Sequence, residues 1–148
     1  MTGMSGTGKS TVLAELALRG FRVAETDEPG WQELRDGEWV WREERIAELL
    51  AADGERALYV SGCVANQGQF YDRFDAVVLL SAPADVILSR IAARTTNDFG
   101  KSPGERAQIL ADLESTEPRL RATCTHEIDA TRPVDDVVEA LVTIGLSG

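Results

Sequence analysis

Apolar residues along the chain alternate between helical spacing and short unbroken runs. Val12, Leu13, Leu16 and Ala17 share one face of a helix predicted over 9–19, which Gly20 stops. Residues 21–24 predict a short strand that delivers Glu25, Thr26 and Asp27 at its carboxyl end, before Pro29 and Gly30 break the chain. Ile46, Leu49 and Leu50 form the apolar stripe of a charged helix over 41–52, and Asp53-Gly54 turns it into a buried strand over 57–61. The run Asp-Ala-Val-Val-Leu-Leu-Ser over 75–81 predicts a strand covered on both faces, as parallel sheets require. Pro83 then opens a helix reaching about residue 94. A polar stretch follows, and a helix over 105–123 must kink or restart at Pro118. A short strand over 127–130 and a helix over 134–144 complete the pattern.

Alternating units of this kind predict an α/β fold, a three-layer arrangement of a parallel sheet with helices on both faces. At 148 residues the chain fits a single domain spanning 1–148. The net charge of −10 argues against binding a nucleic-acid backbone, which depends on Lys and Arg. The two cysteines, Cys63 and Cys124, have no metal-ligand spacing. No apolar run is long enough to span a membrane, and no charged leader precedes an apolar stretch, so the expected location is cytoplasmic.

The segment Gly-Met-Ser-Gly-Thr-Gly-Lys-Ser at 3–10 is a full match to the P-loop signature, Gly-x4-Gly-Lys-Ser, and it opens the first helix. Gly3, Gly6 and Gly8 allow close backbone approach to phosphate, and the amides through Ser5 and Thr7 form an anion nest at a helix N-terminus. Lys9 carries the charge for the β- and γ-phosphates, Ser10 ligates Mg²⁺, and Thr11 supports the α-phosphate side, so ATP and Mg²⁺ are the expected cofactors. A strand of about five residues usually precedes such a loop, whereas only Met1 and Thr2 stand before Gly3. The expectation is a truncated first central strand, with the true start upstream.

Over nearly its whole length the chain resembles the small P-loop kinases of the shikimate kinase and gluconate kinase group. Glu25-Thr26-Asp27 is similar to their Asp-x-Asp, and Gly37-Glu38-Trp39-Val40-Trp41-Arg42 to the Gly-Glu-x-x-Phe-Arg that begins the substrate-side helix of shikimate kinases. Ser61-Gly62-Cys63 takes the place of their glycine cluster. Arg90 and Arg94 match arginines leading into the lid, and Ile128-Asp129-Ala130-Thr131-Arg132-Pro133 resembles the loop bordering the adenine. The resemblance implies a substrate-side region at about 28–56 and a lid at about 95–105. It departs where Thr116-Glu117-Pro118-Arg119-Leu120 stands for Arg-x-Pro-Leu-Tyr, so that substrate arginine is missing.

The implied reaction is ATP-dependent phosphorylation of a hydroxyl on a small metabolite. Asp27 is the candidate base or orienting group, facing the crevice at the carboxyl end of a strand, and otherwise a turn residue before Pro29. Glu25 is the candidate for the Mg²⁺ water shell or a simple cap. Arg42 and Gly62 are candidates for holding the acceptor, although Arg42 also fits a solvated helix face beside Glu38 and Glu48. Arg94 is assigned to neutralise the transferring phosphate, Arg90 could pair with Asp85 instead, and Lys101 lies in the lid. Arg132 is assigned to stack on the base. Trp31, Trp39 and Trp41 could wall the pocket or pack a core, and Asn66 and Gln67 could face the same crevice. His126 reads as structural. The alternatives are an ATP-binding or ATPase module without kinase activity, and a nucleoside or nucleotide kinase. The expected partner is a small molecule, with the protein a monomer or homodimer.

Overall fold

The computed structural model describes residues 1–4, 6–28, 30–52, 57–93 and 102–147. Along these run α1 (Lys9–Leu18), β1 (Arg22–Glu25), β2 (Gln32–Arg35), β3 (Glu38–Trp41), α2 (Glu43–Ala51) and β4 (Leu58–Ser61). A 3₁₀ helix (Gln67–Arg73), β5 (Val78–Ser81), α3 (Ala84–Ala93), α4 (Pro103–Ser115), α5 (Glu117–Thr123), β6 (His126–Asp129) and α6 (Val134–Ser147) follow. β1 pairs parallel with β4, and β5 parallel with β6.

Met1 and Thr2 stand between these two pairs. The Met1 amino nitrogen donates to Val60 O (2.6 Å), and Gly62 N donates to Met1 O (3.2 Å). On the other side Thr2 N donates to Val78 O (2.8 Å) and Leu80 N to Thr2 O (2.9 Å). Two residues therefore join the halves into the order β1, β4, residues 1–2, β5, β6, and the glycine-rich loop leaves from the middle of the sheet.

Alternate residues of a strand point to opposite faces. Val23 and Tyr59 pack against a cluster of Val12, Leu13 and Leu16 from α1, Ile87 and Ile91 from α3, and Val137, Val138 and Leu141 from α6. Their neighbours Ala24 and Val60 join a second cluster with Trp41, Ile46 and Phe70. Helices α1, α3 and α6 thus cover one face, while α2 and the 3₁₀ helix cover the other, giving the three-layer α/β arrangement. Val78, Leu79 and Leu80 are all buried, which explains why that strand is apolar without alternation.

Two elements differ from the sequence-based expectation, and a third restarts as Pro118 predicts. Residues 37–42 do not start a helix. They complete an antiparallel hairpin in which Gln32 faces Trp41 and Leu34 faces Trp39. Asp36 (φ 52°) and Gly37 (φ 81°) turn it, both left-handed, as a two-residue hairpin turn matched to strand twist demands. Helix α2 then starts at Glu43, after an extended Arg42 (φ −69°, ψ 107°). The helix expected over 105–123 is two helices divided at Thr116. Pro118 lies in the first turn of α5, where its missing N–H would have had no helical partner anyway. Helix α4 begins at Pro103, inside the stretch expected as a lid, with Ser102 Oγ accepting from Glu105 N (3.2 Å) as its cap. The rest of that stretch through residue 101 falls outside the described residues. Among the described residues no helix is long and apolar enough to cross a membrane.

Candidate active site

The loop before α1 owes its shape to glycine at two points. Gly3 (φ 152°) lies against the β5 backbone, where a Cβ would meet Leu80 O at 2.5 Å. Gly6 (φ 85°) is pressed against Ile87 and Ile91 of α3, each 3.0 Å from where a Cβ would stand. Neither backbone conformation suits an L side chain. Thr7, which is buried, donates from Oγ1 to Met4 O (2.8 Å) and tightens the loop. Lys9 Nζ folds back on the loop and donates to Gly3 O and Met4 O. An ammonium held by carbonyls at the rim of an amide nest is placed to exchange them for an anion.

A cleft of about 860 Å³ opens over this loop. It is lined by the described loop residues through Thr11 and Val12, and at the carboxyl end of β1 by Glu25, Asp27 and Glu28 with Cys63. Ser10 Oγ donates to Glu25 Oε1, so a hydroxyl and a carboxylate meet at the first turn of α1. These are the hard oxygen donors that Mg²⁺ prefers. Among the described residues no group of three or more His, Cys, Asp or Glu could hold a metal alone.

Asp27 Oδ1 accepts from Gln32 Nε2 (3.2 Å) and from Cys63 N (3.3 Å). Gln32 Nε2 also donates to Thr26 O (2.9 Å). From the paired position in β3, Trp41 Nε1 donates to Thr26 Oγ1 (2.8 Å), and that hydroxyl donates to Ser61 O (2.6 Å). The hairpin therefore holds the Glu25-Thr26-Asp27 corner through one donor from each strand. Burial pushes the Cys63 thiol above its ordinary pKa, a shift that Lys9 nearby opposes, so the group in the cleft is a thiol.

The opposite end of the cleft carries Arg90, Arg132 and the apolar side chains Ile91, Val134 and Val137. Arg90 Nη2 donates to Ala130 O (2.6 Å), which ties α3 to the turn after β6. Asp129 shapes that turn by accepting from the Thr131 hydroxyl (2.6 Å) and amide (2.9 Å), and these bonds hold its carboxyl below the usual range.

The structure gathers Gly3, Gly6, Thr7, Gly8, Lys9, Ser10, Thr11, Glu25, Asp27 and Arg132 around one cleft. Ser5, Arg94 and Lys101 lie outside the described residues. Arg42 is exposed and donates from Nε to Gln32 O (3.3 Å), and it does not line the cleft. Gly62 does not line it either; a Cβ there would run into Thr26 Oγ1 and Trp41, so its small size serves packing. Asn66 is spent on Trp41, accepting from its amide (2.8 Å) and donating to its carbonyl (3.1 Å), and Gln67 donates to Thr2 Oγ1 (3.0 Å). Trp41 packs edge-on against Phe70, Trp31 lies under Arg45, and Trp39 is exposed. The sequence leaves Arg90 open between a phosphate partner and an ion pair, and names Cys63 only within Ser61-Gly62-Cys63; both line the cleft.

Loop, sheet and cleft define a P-loop protein, built to hold a polyphosphate at the N-terminus of α1. The chain belongs to the AAA domain family, whose model matches residues 1–111. It is 28% identical to shikimate kinase 2 of Sodalis glossinidius (strain morsitans), over 96% of this chain and 91% of that protein. Its fold is similar to that of shikimate kinase from Acinetobacter baumannii in complex with shikimate (TM-score 0.67, 18% identity, 99% of this chain and 90% of that one). It is also similar to a gluconokinase from Sinorhizobium meliloti 1021 (TM-score 0.63, 21% identity, 99% and 89%). By fold, loop and relatives together the chain is of the small P-loop kinase type.

Proposed function

We propose that the protein transfers the γ-phosphate of ATP to a hydroxyl group of a small metabolite. The observation that carries this reading is that Lys9, Ser10 and Asp27 share one cleft, with the phosphate loop on one side and a positioned carboxylate on the other. Amides of residues 6–10 and the Lys9 ammonium suit the phosphates, and Arg132 with Ile91, Val134 and Val137 suits the base. Ser10 would hold Mg²⁺, with Glu25 receiving its water shell. Bound there, the ion supplies charge neutralisation of the β- and γ-phosphates.

Asp27 does the acceptor's part. Gln32 and the Cys63 amide both bond Oδ1, which leaves Oδ2 to accept from the incoming hydroxyl. Phosphoryl transfer asks more for alignment than for a strong base, so a fixed carboxylate on the acceptor side is the fitting device. Arg94 keeps the role the sequence gives it, neutralising charge on the transferred group. The relatives' names support a small hydroxylated acceptor in general, and the acceptor here need not be theirs.

The test is ADP release across a panel of hydroxylated metabolites, with Lys9→Ala alongside. The variant should lose turnover by at least about a hundredfold, the scale for removing a single charge-stabilising donor. Turnover retained in Lys9→Ala, or magnesium-ATP uptake that no acceptor accelerates, would overturn the reading.

A further inference from the structure

A buried hydroxyl at the carboxyl end of the sheet has no partner. Ser61 ends β4 and is 1% exposed, and its Oγ makes no hydrogen bond among the described residues. Its carbonyl, by contrast, accepts twice, from Thr26 N (2.9 Å) and from Thr26 Oγ1 (2.6 Å). A hydroxyl withdrawn from water with no bond in return is destabilising, and calls for an ion, a water or a ligand to supply what is missing.

The pairing of β1 with β4 sets Ser61 opposite Glu25. Residues two apart on a strand share a face. Val23 and Tyr59 stand two residues before Glu25 and Ser61, and both pack against the cluster that α1 helps to build. Glu25 and Ser61 therefore point to the α1 side of the sheet. There Ser10, in the first turn of α1, donates from Oγ to Glu25 Oε1. The hydroxyl suited to ligate Mg²⁺, the carboxylate suited to its water shell and the unpartnered hydroxyl thus share one side of the sheet. In the free protein neither Ser10 nor Glu25 satisfies Ser61.

We infer that Ser61 is a positioning residue for the magnesium-nucleotide complex: its hydroxyl, together with the Glu25 carboxylate, receives a water of the ion's shell. This deepens, and rests on, the kinase reading above. A hydroxyl and a carboxylate suit one water, because the first can donate to it and the second can only accept from it. Polar groups behind a metal's ligands commonly hold them in place and tune affinity. Ser61 is then destabilising in the free protein and satisfied in the loaded one, while touching neither ion nor nucleotide.

The full chain, Ser61→Ala, Glu25→Gln and the double variant are titrated with manganese chloride in the presence of a non-hydrolysable ATP analogue. Electron paramagnetic resonance follows the free Mn²⁺, and each protein is also melted without ligand. Ser61→Ala should weaken Mn²⁺ in the analogue complex about tenfold, the lower end for a group behind a metal's ligands. Its affinity for the analogue in EDTA should not change. The free variant should melt at or above the parent, because the change deletes a group with no bond to lose. In the Glu25→Gln background the same change should add little, since both side chains act on one water. Parental Mn²⁺ affinity in Ser61→Ala, a loss fully additive with Glu25→Gln, or a free variant that melts below the parent overturns the inference and leaves the kinase reading standing. A parent that takes up the analogue no better with Mn²⁺ than without it overturns the kinase reading as well.

Discussion

At the scale of single residues, the proposed reaction leans on two side chains: Lys9, which folds back on the loop, and Asp27, which Gln32 and the Cys63 amide hold. Gln32 decides the second. Its amide bonds both Thr26 O and Asp27 Oδ1, so Gln32→Leu keeps bulk and removes the donor. The expected result is a fall in kcat of about tenfold, since one hydrogen bond to a partly exposed carboxylate contributes about 1.4 kcal/mol. Affinity for ATP should not change, and a parallel loss of nucleotide binding would show a general folding defect instead. Gly6→Ala acts at the other end of the cleft. With φ at 85° and two isoleucines at 3.0 Å, the methyl group has nowhere to go. The cost should be about 1–3 kcal/mol of stability, read by urea unfolding, together with weaker nucleotide uptake.

At the scale of elements, the β2–β3 hairpin gives the Glu25–Asp27 end of the cleft its form. Its signal lay in the sequence, as Asp36-Gly37 between Gln-Glu-Leu-Arg and Glu-Trp-Val-Trp, which is the dipeptide a two-residue turn prefers. The resemblance of residues 37–42 to a helix start points to a helix there instead. Helix or strand was decided here by what the tryptophans reach, because Trp41 is buried on Phe70 and its indole N–H bonds Thr26. Trp41→Phe preserves the aromatic packing and removes that donor. It should cost about 1–2 kcal/mol by leaving a buried hydroxyl short of a partner. Equilibrium unfolding measures the loss, and a variant as stable as the parent would show that the hairpin does not depend on this bond. Helices α4 and α5 show the opposite case. Pro118 predicts a kink or a restart, and the second helix starts at Glu117, one residue before it.

At the scale of the whole molecule, distant segments are tied across the sheet. Arg121 of α5 bonds Glu127 of β6 (2.8 Å) and Glu117 (2.9 Å), and Ser81 of β5 donates to Glu127 (2.7 Å). These bonds, the Arg121 guanidinium first and the Ser81 hydroxyl next, hold the Glu127 pKa below its ordinary 4.5. A carboxylate depressed on folding contributes stability above its unfolded pKa and loses it as pH falls through the folded value. Stability should therefore decline below about pH 4.5, and Glu127→Gln should flatten that acid limb and lower stability at neutral pH. The group is partly exposed, so solvent screening keeps the effect small. Thermal melts from pH 3 to pH 7 check it, and parallel curves for parent and variant would exclude this cluster as the cause.

The phosphate loop was legible in the sequence because its chemistry is contiguous. Eight neighbouring residues supply the turns, the amides, the cation and the hydroxyl, and no distant partner is needed to read them. The alternation of strands and helices was legible for a similar reason, since each period is set by which face meets the core. The end of the cleft around Asp27 belonged to the tertiary structure. That Arg42 Nε meets Gln32 O, and that Gly62 sits against Thr26 and Trp41, depends on residues from segments far apart in the chain. Such contacts follow from packing, which a local pattern does not encode.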